Sequence, residues 1–262
     1  MAESGQISVV VDPALGGRWT SLRSAAGREW LFSRTEPRRA QVTPGDRFVD
    51  AGGLEECLPT LGGPPDHGVV WSRPWTETGG GHEVEADGFR LRREMTADGD
   101  VLTVRYRLEG EPGRAFIWAA HALLDLPPGS RLVLPEGLPA TVGTETGLRS
   151  FPWPDLDGVD LGDLGPDDGS TLMVVVPDVA TTIVLDGPDR LTLTVSAPGL
   201  PTGVAFWRNL GGWPEDAPYR SIGVEPLLGR TGDLSECGSG DAVTIPESGV
   251  VTWTLTIIAD RP

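Results

Sequence analysis

The sequence predicts an all-β protein, a large antiparallel β-sandwich in which residues 1–262 form a single domain. Short segments alternate between apolar and polar residues and are separated by glycine, proline and aspartate turns, as in sandwich proteins. No segment keeps a helical hydrophobic period for more than two turns. No internal repeat or linker divides the chain, and its length suits one large all-β domain.

The N-terminal half is predicted to consist of strands joined by short turns. Asp12-Pro13 and Gly16-Gly17 turn the chain after the first strand, and residues 97–100 supply a hairpin turn. The predicted strands are residues 6–11, 18–23, 29–32, 82–86, 89–96, 101–109 and 116–124.

The C-terminal half begins with residues 125–170, which are rich in proline, glycine and aspartate and are expected to form solvated loops. Only short strands such as 131–134 are predicted there, and the aspartates do not have the spacing of a calcium-binding loop. Residues 227–236 are expected to form a loop or a helical turn. The remaining predicted strands are residues 171–176, 181–186, 191–196, 204–207 and 250–259.

A further strand is predicted from Ser221 to Glu225, and it should end there because Pro226 cannot donate a hydrogen bond to a sheet. Carboxylates are rarely buried without a partner. Glu225 is therefore either a surface residue or a functional one.

Residues 48–75 are the least regular part of the chain and contain His67, Trp71, Arg73 and Trp75 among glycines and prolines. Loops that carry polar groups beside aromatic rings are typical of binding sites, and sugars are commonly held in this way. The alternative is a long loop whose aromatic side chains only pack against the core.

The composition excludes several classes of function. A net charge of −17 would repel nucleic acid, and the absence of lysine rules out a Schiff-base or phosphate-loop lysine. No apolar run is long enough for a membrane helix, and the first residues do not have the pattern of a signal peptide. With only Cys57 and Cys237, we expect no disulfide framework and a cytoplasmic location.

Few chemical groups remain for catalysis. The sequence has no HExxH or CxxC motif, no G-x-S-x-G nucleophile elbow and no phosphate-binding glycine loop, so no metal or cofactor is expected. His67, His121 and Glu225 remain, and they suit general acid–base chemistry. Alternatively, His121 is a core residue whose buried neutral imidazole only needs hydrogen-bond partners, since it interrupts an otherwise apolar strand.

Short motifs occur along most of the chain. They are Gly16-Gly17-Arg18, Ser21-Leu22, Gly27-x-Glu29, residues 53–60 (GLEECLPT), Asp66-His67-Gly68, Trp75, His121, Trp207, Gly211-Gly212-Trp213-Pro214 and Val224-Glu225-Pro226. None of them is specific alone, but together and in this order they make the chain similar to the aldose 1-epimerase (galactose mutarotase-like) family.

The resemblance implies the galactose mutarotase-like supersandwich and a cofactor-independent isomerase that interconverts the α and β anomers of a monosaccharide. By the same resemblance, Glu225 is the general base, His121 is the general acid, and His67 hydrogen-bonds near the ring oxygen. Further contacts to the substrate are expected from four residues: Glu56, Arg73, Trp75 and Trp207.

Two departures from the family's residue pattern leave other functions open. Trp71 stands where many relatives have an arginine, and Ala122 follows the second histidine where many have proline or threonine. One alternative is a hexose-6-phosphate epimerase, whose phosphate would need Arg18, Arg73 and Arg208 to come together. Another is a carbohydrate-binding or sensing protein without catalysis. Long exposed strand edges are compatible with a homodimer, which the sequence does not decide.

Overall fold

A computed structural model describes residues 5–144 and 147–262. Two nine-stranded antiparallel sheets pack face to face, which confirms the predicted β-sandwich. The described residues contain no α-helix and only two short 3₁₀ helices, Pro37–Gln41 and Leu234–Glu236. Neither of these described helices is long enough to cross a membrane.

The first sheet, called the pocket sheet below, carries the candidate site. In the order of their pairing, its strands are β1 (Ser8–Asp12), β2 (Arg18–Arg23), β3 (Gly53–Cys57), β9 (Trp118–Leu124), β20 (Tyr219–Leu228), β19 (Thr202–Trp213), β16 (Thr171–Pro177), β11 (Pro139–Thr144) and β12 (Gly147–Pro152).

The second sheet, called the support sheet, covers the inner face of the pocket sheet. In the order of their pairing, its strands are β15 (Asp163–Leu164), β10 (Ser130–Val133), β17 (Thr181–Asp186), β18 (Asp189–Ser196), β22 (Val250–Asp260), β7 (Val101–Glu109), β6 (Phe89–Asp98), β5 (Gly81–Ala86) and β4 (Thr76–Thr78). Two small sheets complete the described strands: β13 (Asp155–Leu156) with β14 (Val159–Asp160), and β8 (Ala115–Phe116) with β21 (Val243–Thr244).

Most strands lie where the alternation of the sequence predicts them, but several segments differ. Residues 125–170, expected to be solvated loops with only short strands, contain the six-residue strands β11 and β12, which pair with each other. The strand through Glu225 does not end there and continues to Leu228. Pro226 is tolerated because the pairing of β20 with β9 is interrupted between Val224 and Leu227, so its missing N–H falls at a gap in that ladder. Residues 29–32 make only isolated bridges. Gly53–Cys57, which lies in the segment expected to be irregular, is instead a central strand.

Aromatic side chains fill the space between the sheets. The rings of Tyr106 and Trp253 stack at 5.0 Å, and Trp118 from the pocket sheet lies 4.8 Å from Tyr106. All three side chains are buried. Such ring pairs add to the free energy gained by burying their apolar area.

A buried ion pair also joins the two sheets. The carboxylate of Glu56 in β3 accepts hydrogen bonds from Arg93 Nη1 (2.9 Å), Tyr106 Oη (2.9 Å) and Trp118 Nε1 (2.6 Å). The Arg93 guanidinium also donates to the Gly17 carbonyl and lies 4.6 Å from the centre of the Trp75 ring. Neither Glu56 nor Arg93 is exposed to solvent, so each charge depends on the other.

We therefore expect Arg93→Met to lower the free energy of unfolding by about 3–5 kcal/mol, because it leaves the Glu56 carboxylate buried without its cation. Urea unfolding would measure the change. Arg107→Met is the matched control, since Arg107 pairs with Glu109 on the exposed face of the support sheet and should cost less than about 1 kcal/mol. Equal losses in the two variants would contradict the role given to the buried pair.

Candidate active site

Three ionisable side chains lie side by side on the outer face of the pocket sheet. The register pairs Glu55 in β3 with His121 in β9. The pairs Val224–Ala122 and Leu227–Ala119 bring Glu225 in β20 opposite His121 on the other side. Because side chains alternate across a strand, Glu55, His121 and Glu225 share the face away from the core.

Small residues make room for the Glu225 carboxylate. Ala205 pairs with Glu225, and Gly223 lies two residues before it on the same face. A Cβ atom at Gly223 would come 2.5 Å from Glu225 Oε1 and 2.8 Å from the Cβ of Trp207. No larger residue could therefore stand at position 223 without moving the carboxylate or the indole.

The loop after β3 brings His67 over this row. His67 has a φ of 58°, in the left-handed region that few non-glycine residues adopt, and its ring stacks on Phe48 at 3.7 Å. His67 Nδ1 lies 2.8 Å from Asp66 Oδ1, and this hydrogen bond lowers the pKa of the Asp66 carboxyl. The carboxylate thus fixes the imidazole and leaves Nε2 for a ligand.

These side chains surround a cavity of about 280 Å³ that opens to solvent. His121 Nε2 lies 3.6 Å from Glu225 Oε1, and the rings of His67 and His121 meet edge to face at 4.7 Å. The cavity is lined by Phe48, Asp50, Asp66, His67, His121, Leu123, Met173, Trp207, Trp213 and Glu225. It combines aromatic walls with a few convergent polar groups, as small-molecule sites do.

Burial changes the acidity of the central pair. It raises the pKa of Glu225 from 4.5 to about 8, and no described protein group donates a hydrogen bond to either carboxylate oxygen. Burial, with a smaller contribution from the charge of His67, lowers the pKa of His121 well below its ordinary value. Between these two pKa values the pair holds one proton, which suits a site that both gives and takes protons.

The fold is similar to that of several solved structures. The chain superposes on the Slr1438 protein of Synechocystis sp. PCC 6803 with a TM-score of 0.73 at 14% identity, covering 98% of this chain and 95% of that one. A galactose mutarotase related enzyme from Lactobacillus acidophilus gives a TM-score of 0.65 at 12% identity over 98% and 96% of the two chains.

A galactose mutarotase-like protein from Clostridium acetobutylicum gives a TM-score of 0.63 at 11% identity, with 99% of this chain and 94% of that one covered. The chain has the galactose mutarotase-like fold. Neither a protein-family model nor a curated protein sequence matches it. The similarity therefore lies in the three-dimensional structure. Sequence identities this low do not assign an activity to the chain.

Within this galactose mutarotase-like fold, four of the residues singled out from the sequence line one cavity: His67, His121, Trp207 and Glu225. The other three lie elsewhere. Glu56 and Trp75 point into the core, where Arg93 contacts both of them. Arg73 donates through Nε to the carbonyl of Val69 and does not line the cavity. These three residues therefore contact other parts of the protein and do not line the cavity, contrary to the expectation from the sequence.

A second buried ion pair lies beside the cavity. Arg39 Nη2 is 3.1 Å from Glu55 Oε2, and the Arg39 guanidinium lies 4.7 Å from the centre of the Trp71 ring. Burial raises the pKa of Glu55 to about 7, with Arg39 and Arg18 opposing the shift. At the position where many relatives have an arginine, Trp71 thus packs against an arginine from another segment.

Several cavity residues escaped the sequence analysis, notably Phe48, Asp50, Met173 and Trp213. Asp66 and Trp213 belong to the motifs Asp66-His67-Gly68 and Gly211-Gly212-Trp213-Pro214, but the sequence alone gave neither residue a role. The alternation of β16 could have shown that Met173 shares a face with Val175, but not that this face borders a cavity. Within residues 5–144 and 147–262, no cluster of three or more His, Cys, Asp or Glu side chains could hold a metal ion.

The raised pKa of Glu225 should appear as a pH dependence of stability. The unfolded chain loses this proton near pH 4.5, whereas the folded chain keeps it to about pH 8. The stabilisation is therefore full below pH 4.5 and is lost as the pH rises towards 8. We expect the free energy of unfolding of the wild type to fall, relative to Glu225→Gln, by about 1.4 kcal/mol per pH unit within this window.

Urea unfolding at intervals from pH 4 to 9 would measure both proteins. Glu55 titrates in each of them, so only the difference between the two curves reports on Glu225. Parallel curves would show that Glu225 titrates normally in the folded protein.

Proposed function

We propose that the protein interconverts the α and β anomers of an unphosphorylated monosaccharide by general acid–base catalysis. The observation that carries this proposal is the adjacency of His121 and Glu225, 3.6 Å apart at one cavity. An acid and a base so placed could serve the two neighbouring oxygens of an anomeric centre, the ring oxygen and the hydroxyl oxygen on C1.

The reaction begins with the pair carrying one proton. Transfer of that proton from Glu225 to His121 gives a carboxylate and an imidazolium without changing the total charge. The Glu225 carboxylate then takes the proton of the C1 hydroxyl as the bond between C1 and the ring oxygen breaks. His121 gives its proton to the ring oxygen, and the open-chain aldehyde forms.

Rotation about the C1–C2 bond then presents the other face of the aldehyde. His121 takes back the proton from the attacking hydroxyl, the ring closes, and Glu225 returns its proton to the oxygen on C1. Each proton donated in ring opening is recovered in ring closure, so no external acid, base or cofactor is consumed. His67, oriented by Asp66, supplies a hydrogen bond near the ring oxygen.

The aromatic walls of the cavity suit the apolar faces of a sugar ring. The rings of Trp207 and Trp213 meet edge to face, with their centres 5.8 Å apart. Trp207 Nε1 donates a hydrogen bond to Ser221 Oγ at 3.1 Å, which fixes the indole. A fixed indole offers a flat surface at little loss of side-chain entropy.

A non-catalytic sugar-binding protein would not require the buried state of Glu225. A carboxyl group that is fully buried and accepts no protein hydrogen bond from the described residues is costly to keep. Such groups concentrate at active sites, where a shifted pKa is useful. This feature favours catalysis over binding alone.

A phosphorylated substrate fits the cavity poorly. None of the ten lining residues within the described part of the chain is an arginine, and three are acids. Arg18 Nη1 donates to the carbonyls of Ala51 and Gly52, and Arg208 donates to Ser170 and to the Asp163 carbonyl. The arginines considered for a phosphate site are thus occupied elsewhere.

Polarimetry of fresh α-D-glucose and α-D-galactose tests the proposal. The wild type should speed the approach to anomeric equilibrium, and Glu225→Gln or His121→Asn should lower kcat by about 10²–10⁴-fold, because each removes a proton-transfer group. His82→Asn is the matched control, since His82 lies in β5 of the support sheet, and it should keep full activity. Equal activity in His121→Asn and His82→Asn would refute the assigned roles.

The preference for unphosphorylated sugars is a separate expectation. We expect kcat/KM for D-glucose 6-phosphate to be at least about 10-fold below that for D-glucose, because Asp50 and Asp66 repel the phosphate and no arginine of the lining offsets them. Coupled assays of the two substrates under the same salt would measure the ratio. A ratio in favour of the phosphate would point to the hexose-phosphate alternative.

A further inference from the structure

We propose that Asp50 determines substrate specificity by accepting hydrogen bonds from sugar hydroxyl groups remote from the anomeric carbon, and that Tyr219 is the residue that positions it. This inference rests on the proposed function, because it assigns part of the same cavity. Neither residue belongs to the acid–base group.

Asp50 has an unusual environment for a carboxylate. Only 9% of the residue is exposed, yet it lines the cavity. Its Oδ1 accepts the backbone N–H of Gly52 at 2.7 Å, and its Oδ2 accepts the hydroxyl of Tyr219. A carboxylate can accept about four hydrogen bonds, so two donors leave capacity for a ligand.

Tyr219 is itself held in place from two sides. Its ring stacks on Phe32 at 5.9 Å with an interplanar angle of 9°, and the Arg34 guanidinium lies 4.1 Å from its centre. Burial raises the pKa of the Tyr219 phenol, so the hydroxyl remains a donor to Asp50. The Asp50 carboxylate is thus oriented before any ligand arrives, which is what a specific polar contact requires.

The strand register separates Asp50 from the acid–base pair. One row of the outer face contains Glu55, His121 and Glu225, and the next row along the strands contains Gly53 and Leu123. Asp50 precedes Gly53, and Tyr219 lies at the same end of β20. A ring whose C1 meets His121 and Glu225 would direct its distant hydroxyls towards this end of the cavity.

The chemistry of this end selects the substrate class. An oriented carboxylate rejects phosphate and carboxylate groups and favours neutral hydroxyls that donate to it. A site built to receive such a donor discriminates against an analogue that lacks it, because the remaining lone pairs of the buried carboxylate are then left without a donor. We therefore expect the protein to distinguish sugars by a hydroxyl far from C1.

The test measures binding and turnover separately. Binding of 1,5-anhydro-D-glucitol and 1,5-anhydro-D-galactitol, which have no anomeric hydroxyl and cannot mutarotate, would be followed by the fluorescence of the cavity tryptophans. We expect Asp50→Asn to raise Kd for the better-bound probe at least about 10-fold and Tyr219→Phe about 3-fold or more. Asp178→Asn is the matched control, since Asp178 pairs with Arg230 on the exposed surface, and should leave Kd unchanged.

Turnover identifies the hydroxyl that Asp50 recognises. With D-glucose and its 2-, 3-, 4- and 6-deoxy analogues, Asp50→Asn should raise KM about 10-fold with kcat changed less than about 3-fold. For one deoxy sugar, the wild type and the variant should become alike, because the contact is already lost. If galactose is the faster substrate, its deoxy analogues replace those of glucose.

The outcomes separate this inference from the proposed function. If the probes bind, Asp50→Asn weakens them and no mutarotation occurs, the subsite stands and the catalytic proposal fails. If mutarotation occurs but Asp50→Asn leaves Kd and KM within twofold of the wild type, the role of Asp50 is overturned. If the wild type binds neither probe and does not speed mutarotation, both proposals fail. Melting temperatures of the variants near that of the wild type would exclude unfolding as the cause of a loss.

Discussion

The buried contact between Glu56 and Arg93 is the constraint on which the fold and the cavity both depend. Three donors from two sheets converge on the Glu56 carboxylate, so β3 can lie in only one register. A shift of one residue would turn Glu56 outwards and Glu55 inwards. The same contact therefore sets the row in which Glu55, His121 and Glu225 meet.

The outer face of the pocket sheet, where this row lies, has several features that lower the stability of the protein. Glu225 is buried without a protein donor from the described residues, and His67 has a backbone conformation in the left-handed region. Arg39 and Glu55 form a further buried pair beside them. The inner face is conventional by comparison, with aliphatic and aromatic side chains between the sheets. The support sheet stabilises a pocket sheet whose other face carries the cavity and its buried ionisable groups.

The two ends of the cavity differ in chemical character. At one end, burial raises the pKa of Glu225 and lowers the pKa of His121, so that between these two values the pair holds a single proton. At the other end, Tyr219 and Gly52 hold the Asp50 carboxylate by hydrogen bonds. The first end suits the transfer of protons, and the second suits recognition by fixed acceptors.

The sequence by itself determined the fold class and the acid–base candidates, because strand alternation and the motifs around His67, His121 and Glu225 are local signals. Only the tertiary structure decided which of the neighbouring acids Glu55 and Glu56 faces the core, that Trp75 packs inside, and that Asp50 lines the cavity. It also decided that Tyr219 donates a hydrogen bond to the Asp50 carboxylate. These outcomes depend on strand pairing between residues far apart in the chain. A local pattern shows that two faces exist, whereas long-range register decides what each face meets.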